Sequence, residues 1–192
     1  MATAVHTVAI EELVSGLREF PEAAFDEVAT IRGYLQRTPV AIESLARYLC
    51  WNKQHYTRNL IDHTPLYELM AICWEVGQSS SVHNHHNQNC WMAVPMGRLL
   101  VENFRTHQQD LVAGKCRIEP FETVEMNLTA PCAVDPKEPV HRVFNPPEFN
   151  QRAVSLHVYS RPFDRCVVYS ADKGTCGEIE LHFTTRFGKS NE

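Results

Sequence analysis

The sequence predicts a mainly β fold, a β-sandwich or barrel behind an N-terminal helical cap. Apolar residues at helical spacing are confined to the first third of the chain. From about residue 56 they give way to short runs rich in β-branched and aromatic residues, punctuated by Gly, Pro, Asn and Asp. Many short strands after a helical start are the pattern of a two-layered or closed β domain. Within this β region His83 and His85 stand two residues apart, so in a strand both imidazoles point to one side.

The elements follow in order. Val8, Ile10, Leu13, Val14 and Leu17 form a first helical stripe, with Glu11 and Glu12 in the turn where the helix dipole favours acids. Phe25, Val28, Ile31 and Leu35 form a second. A third helix is predicted with Thr38 as N-cap and Pro39 at the first helical position, carrying Ile42, Leu45, Ala46 and Leu49. Strands are predicted over residues 66–76, 90–94, 99–104, 116–121, 140–144, 153–159, 166–170 and 179–183. The strand at 153–159 puts Val154, Leu156 and Val158 on one face and Ser155, His157 and Tyr159 on the other. Taken alone, that polar face reads either as the solvent side of an edge strand or as a hydrogen-bonded buried row.

Composition narrows the function. The 192 residues suit one domain with a real core, and 44% hydrophobic with 21% charged residues is a globular balance. A net charge of −5 and the absence of basic tracts argue against nucleic acid. No apolar run reaches the roughly 20 residues of a membrane span. The start, Met-Ala-Thr-Ala-Val-His, lacks the basic and apolar regions of a secretory leader. Seven scattered cysteines with no C-x-x-C argue for reduced thiols in a cytosol rather than a disulfide framework.

Two stretches carry the chemistry. Gly77-x5-His83-x-His85-x4-Cys90-x6-Gly97 resembles the first motif of the cupin superfamily, with Cys90 where that motif ordinarily has Glu. Pro136-Lys-Glu-Pro-Val-His141-Arg-Val-Phe-Asn145 resembles the second, with Glu138 in place of the usual glycine, a change expected only to alter a turn. Such motifs speak to fold and metal, not to the reaction. A narrower resemblance, over roughly residues 40–188, is to the cysteine dioxygenase (type I) family. It rests on Tyr56-Thr-Arg58-Asn-Leu, Cys73-Trp74, His83-x-His85, Cys90, His141-Arg-Val, Ser155-Leu-His157-Val-Tyr159-Ser, Pro162-Phe-Asp and Arg186-Phe-Gly188, in that order.

With no internal repeat and no low-complexity linker, the chain is read as a single cupin domain over residues 1–192, with a helical cap at 1–55 and a β-barrel at 56–192. The resemblance implies Fe(2+) held by His83, His85 and His141, a Cys90–Tyr159 thioether cross-link, and Arg58 as the binder of the substrate carboxylate, with Tyr56 supporting the same pocket. Ser155, His157 and Tyr159 are implied as a catalytic relay, with Cys90 beside them. The chemistry is coherent. A third neutral histidine in place of the carboxylate of common non-haem iron sites leaves the centre one unit more positive, which favours a thiolate substrate. Arginine suits a carboxylate because its planar fork donates two parallel hydrogen bonds. The expected enzyme is a cytoplasmic, monomeric dioxygenase of cysteine metabolism that takes L-cysteine and O2, with no nucleic-acid or membrane partner.

One departure is notable. The family often has two prolines after the Tyr-Ser pair, the first in a cis peptide, whereas this chain reads Tyr159-Ser160-Arg161-Pro162. The expectation is a trans or strained Ser160–Arg161 bond, with Arg161 adding positive charge at the pocket mouth. Cys166 is expected near that mouth, Trp74 in the core or pocket wall, and His86 on the strand face opposite His83 and His85. His6, His55, His63, His107 and His182 have no ligand spacing and are read as structural or solvated. Cys50, Cys73, Cys116, Cys132 and Cys176 are assigned to packing or surface. Three rivals stand behind L-cysteine oxidation. A 3-mercaptopropionate dioxygenase ranks next, since enzymes of that kind tend to lack either the cross-linking cysteine or the arginine. Cysteamine would leave Arg58 without a carboxylate. A non-catalytic metal-binding cupin has no visible partner-binding extension to support it.

Overall fold

The computed structural model describes residues 5–190; the first four residues, on which the expectation of no secretory leader partly rests, and the last two lie outside the described residues. Helix α1 (Ile10–Arg18) buries Ile10, Leu13 and Leu17. A 3-10 turn (Glu22–Phe25) leads into α2 (Val28–Arg37), which buries Ile31 and Leu35. The third helix differs from expectation. Thr38 closes α2, its Oγ1 donating to the Tyr34 carbonyl at 2.7 Å, and so does not cap a new helix. Pro39 and Val40 stay extended because Val8 and Val40 form a parallel bridge. In it, Val8 N–H donates to the Pro39 carbonyl at 2.9 Å and Ala41 N–H to the Val8 carbonyl at 2.8 Å. Those backbone groups are no longer available to a helix starting at Pro39, and only a 3-10 helix forms, at Ile42–Tyr48.

Thirteen strands follow: β1 (Thr57–His63), β2 (Tyr67–Trp74), β3 (Val82–His83), β4 (Cys90–Met96), β5 (Leu99–Asp110), β6 (Lys115–Met126), β7 (Cys132–Ala133), β8 (Val140–Phe144), β9 (Ala153–Ser160), β10 (Arg165–Ser170), β11 (Thr175–Glu180), β12 (Thr185–Arg186) and β13 (Lys189–Ser190). One sheet has the order β13-β12-β1-β2-β9-β4-β7; the other, β10-β11-β6-β5-β8-β3, closes through β3 pairing with β10. This is a mainly β cupin architecture with N-terminal helices. The strand predicted at 179–183 instead lies at Thr175–Glu180. The chain leaves the sheet at Leu181, whose N–H donates to the Asp164 carbonyl at 2.7 Å. β1, the two-residue strands β3, β7, β12 and β13, and the full length of the β5–β6 hairpin are structural additions to the sequence reading.

The seven-stranded sheet is covered on both faces, and this positions the site. Leu69, Ala71 and Cys73 of β2, Trp91 of β4 and Leu156 and Val158 of β9 pack with Leu13, Leu17, Ile31 and Leu45 of the cap. The alternate residues Met70, Ile72, Trp74, Cys90, Met92 and Tyr159 face the second sheet. Each fully buried leucine in the cap contributes about 1.5–3 kcal/mol. β9 lies between β2 and β4 and is buried along its whole length, which rules out the edge-strand reading of Ser155, His157 and Tyr159. Among the described residues, no helix is long and apolar enough to cross a membrane.

Two motif residues have structural explanations. Gly97 has φ +73°, and a Cβ there would lie 2.6 Å from the Arg152 carbonyl oxygen, so only glycine fits. Asn145 is buried, and its Nδ2 donates to the carbonyls of Gln151 (2.8 Å), Glu75 (3.3 Å) and Trp74 (3.4 Å). Its backbone exchanges hydrogen bonds with Gly77 and Gln78, pinning the loop that leads to the histidines. Glu138 sits in a turn, where its carboxylate accepts the Thr106 N–H at 3.3 Å.

Candidate metal centre

Three histidines converge inside the barrel. His83 on β3 pairs directly with His141 on β8. His85 lies past the end of β3, so its approach comes from the turn rather than from strand alternation. Ring centroids are 5.2 Å (His83–His85), 4.9 Å (His83–His141) and 4.7 Å (His85–His141) apart. One ring nitrogen from each lies within 4.8 Å of the others. His83 Nδ1 is 2.8 Å from the Ser81 carbonyl. A carbonyl only accepts, so Nδ1 carries the proton and Nε2 presents its lone pair. Both ring nitrogens of His85 and both of His141 are buried without a hydrogen-bond partner. Each such orphan costs about 1–3 kcal/mol, and a bound metal would satisfy one on each ring.

Electrostatics agree with a metal site. Burial holds all three imidazoles below their ordinary value: His83 at about 4, with Arg58 adding to the effect, and His85 and His141 well below the usual imidazole range, with the neighbouring rings adding to it. They are therefore neutral near pH 7, the form that binds metal. Three nitrogen donors with no carboxylate suit iron, zinc, copper or nickel.

A hydrogen-bonded chain forms the facing wall. Trp74 Nε1–H donates to Ser155 Oγ at 2.9 Å, Ser155 Oγ meets His157 Nε2 at 2.8 Å, and His157 Nδ1 meets Tyr159 Oη at 3.2 Å. Tryptophan can only donate. Ser155 accepts from it and has its own hydrogen to give to His157 Nε2, which leaves the proton of the neutral ring on Nδ1, donating to Tyr159. Tyr159 then keeps its hydroxyl hydrogen for the pocket. Burial pushes His157 down to about 3 and Tyr159 well above its usual value, so the chain is uncharged throughout.

The remaining predicted residues lie around the same space, a cavity of about 60 Å³ lined by Tyr56, Arg58, His83, His85, His157 and Tyr159 among others. Arg58 projects from β1 with weak ties: its Nη1 is 3.4 Å from the His182 carbonyl, and its guanidinium lies 5.3 Å from the Phe183 ring centre. Tyr56 stacks on Trp74 at 4.7 Å. Cys90 faces Tyr159 across the β4–β9 ladder, with its thiol beside the phenol. Burial keeps that thiol protonated, well above its ordinary value. Cys166 is buried at the pocket wall.

Arg161 is a correction. The Ser160–Arg161 bond is trans, since no peptide bond among the described residues is cis, and Arg161 adopts φ +61°. Its side chain pairs with Glu22 of the cap, away from the pocket. The left-handed backbone turns it toward the helices, so it adds no charge at the pocket mouth. His86 is exposed in a left-handed turn, and His6, His55, His63, His107 and His182 are exposed.

Sequence reasoning missed Phe163 as a pocket residue. Its ring packs edge-on against Tyr159 at 5.1 Å and lies 6.4 Å from His85. Trp74 was legible as a wall residue but not as the fixed donor that orients the relay. Neither role has a local signal, since each depends on contacts made across strands.

Comparison with known proteins completes the description. A family model described as cysteine dioxygenase type I matches residues 2–172. Cysteine dioxygenase type 1 of Homo sapiens is 30% identical over 168 residues, covering 87% of this chain and 80% of the relative. The Rattus norvegicus enzyme of that name is 29% identical over 180 residues, covering 93% and 84%. Among solved structures, a Klebsiella pneumoniae protein with a double-stranded β-helix domain aligns at 12% identity and a TM-score of 0.47, over 71% of this chain and 88% of that one.

Proposed function

The chain belongs to the cysteine dioxygenase type I family, and from that premise we propose that it converts L-cysteine and O2 to cysteine sulfinic acid at an iron held by His83, His85 and His141. The observation that carries the reading is a guanidinium without an ion-pair partner among the described residues, Arg58, on the same small cavity as His83 and His85, whose cluster with His141 leaves four imidazole nitrogens unpartnered. The cavity suits a substrate of a few heavy atoms with one carboxylate.

The reaction balances as R–SH + O2 → R–SO2H: both oxygen atoms go to sulfur, which supplies all four electrons, and no reducing cosubstrate is needed. A bound iron(II) would supply the positive charge that holds the substrate as thiolate and the unpaired electrons that let O2 react. The protein does the rest. Arg58 clamps the carboxylate and so fixes the sulfur's position. Tyr159 directs its hydroxyl hydrogen into the cavity, where it can donate to the substrate or to the developing oxygen charge. Trp74, Ser155 and His157 hold that phenol in place, while Phe163 and Tyr56 exclude water.

A thioether between Cys90 Sγ and the Tyr159 ring would fix the phenol further. Its formation breaks the Cys90 S–H bond and one ring C–H bond of Tyr159 and releases two protons and two electrons, which reduce one O2 to hydrogen peroxide. Intact mass should fall by two hydrogens after repeated turnover. The protein is taken to act as a monomer in a reducing cytosol, without nucleic-acid or membrane partners; its free cysteines favour that compartment.

Oxygen uptake with product mass spectrometry on iron(II)-loaded protein, using equal L-cysteine and 3-mercaptopropionate, tests the substrate. Dominant cysteine sulfinate is the expected result. Preference for 3-mercaptopropionate would keep the iron chemistry but overturn the choice of amino acid. No uptake with either would point to another thiol or to a non-catalytic cupin.

A further inference from the structure

A second cavity lies beside the first. It has a volume of about 390 Å³, and its walls include Arg58, His63, Glu68, Asp164 and Arg186. Arg58, Phe163 and Leu181 line both spaces, so Arg58 stands in the partition between them. Glu68 is the unusual member. It sits on β2 directly opposite Tyr159 of β9, is 2% exposed, and its Oε1 has no hydrogen-bond partner. A buried carboxylate with an oxygen left unpartnered is expensive to keep charged. Burial pushes Glu68 up to about 7, with Arg58 and Arg186 pulling it back. The basic side chains on this cavity are Arg58 and His63 of β1 and Arg186 of β12. Asp164, in the segment after β9, is the other acid, and Tyr159 stays neutral.

We infer that Glu68 is a specificity-determining residue that sets the affinity of Arg58 for the substrate's carboxylate from the far side of the guanidinium. The inference rests on the reading of Arg58 as the carboxylate binder. Arg58 makes no ion pair with any carboxylate among the described residues, so a substrate carboxylate and an ionised Glu68 draw on the same positive charge. Like charges sharing one cation oppose each other. Ionised Glu68 therefore weakens carboxylate binding, and neutral Glu68 strengthens it. By linkage, a bound carboxylate holds Glu68 in its protonated form. The consequence is a thiol selectivity that changes across neutral pH without any change at the metal ligands.

The test uses iron-loaded protein, L-cysteine as substrate and cysteamine as a competitive inhibitor. The two ligands share thiol and amine and differ in the carboxylate, so their titrations cancel in the ratio of cysteine KM to cysteamine Ki. That ratio should rise by about threefold to tenfold from roughly pH 6 to pH 8 in the native protein. In Glu68→Gln it should stay flat, with the cysteine KM at the alkaline end lowered by a similar factor and kcat little changed. A flat ratio in the native protein overturns the inference without any variant, even should Glu68→Gln fail to fold. Equal effects of Glu68→Gln on both ligands would also overturn it, since a merely structural residue acts that way. Arg58→Ala separates the two levels. If it weakens cysteine and cysteamine equally, the carboxylate reading itself is wrong; if it weakens cysteine alone and Glu68→Gln affects both ligands equally, only the role of Glu68 is lost.

Discussion

The pocket has two walls built from the same residue type in opposite states. On one, His85 and His141 are 1% exposed and none of their ring nitrogens has a partner. On the other, His157 is just as enclosed, yet both of its nitrogens are hydrogen-bonded, to Ser155 and to Tyr159. Burial alone lowers all of these imidazoles, so burial does not separate them. Partnering does. A fully partnered buried histidine is a finished structural unit that holds a neighbour, whereas orphaned nitrogens facing one point need a ligand from outside the chain.

The comparison can be broken most directly at the orphaned wall. His141→Ala should remove the metal, leaving well under stoichiometric iron by elemental analysis. Turnover should fall more than about hundredfold, beyond the usual cost of losing a second-layer partner. Stoichiometric iron with activity would reverse the assignment. Acid should do the same reversibly. The unfolded chain takes up protons below about 6.5, whereas these folded imidazoles resist protonation, His83 down to about 4. The stability and metal binding that depend on neutral rings are therefore complete above about pH 6.5 and fall as pH drops toward 4. Iron retention measured along a descending pH series checks the direction; retention unchanged to pH 4 would contradict it.

The next effect is expected at Arg58. Arg58→Ala should cost about 1.5–3 kcal/mol of cysteine binding, roughly 10- to 150-fold in kcat/KM, while leaving iron bound and cysteamine inhibition nearly unchanged. At the partnered wall the metal should survive. Tyr159→Phe removes one hydrogen bond to developing oxygen charge and should lower kcat about 10- to 100-fold, with iron retained and no loss of mass from cross-linking. If iron were lost as well, the two walls would not be independent. The smallest effect belongs to Trp74→Phe, which removes one donor to Ser155 and should cost about 0.5–1.5 kcal/mol. It should appear as a lower kcat at unchanged KM, because it loosens the orientation of Tyr159 without touching the substrate clamp.

Much of this molecule was legible in its sequence, because its signals are short-range. The period-2 alternation of Ser155, His157 and Tyr159 against Val154, Leu156 and Val158 placed three polar side chains on one face of one strand. The spacing of His83 and His85, joined to His141 by the family resemblance, identified a candidate ligand set. The apolar stripes located the cap and separated it from the strands. What tertiary structure decided lies where the relevant partner is remote in sequence. The bridge between Val8 and Val40 turned a predicted helix into extended chain followed by a 3-10 turn. The pairing of β9 with β2 on one side and β4 on the other turned a possible edge strand into a central one. The left-handed turn at Arg161 sent its charge to Glu22 rather than to the pocket. Glu68, unremarkable between Tyr67 and Leu69 in the sequence, became notable only once β2 paired with β9 and buried its carboxylate on a cavity shared with Arg58. Residue type and period state which side of an element a side chain takes; the groups it meets there are set by long-range pairing, which no local pattern encodes.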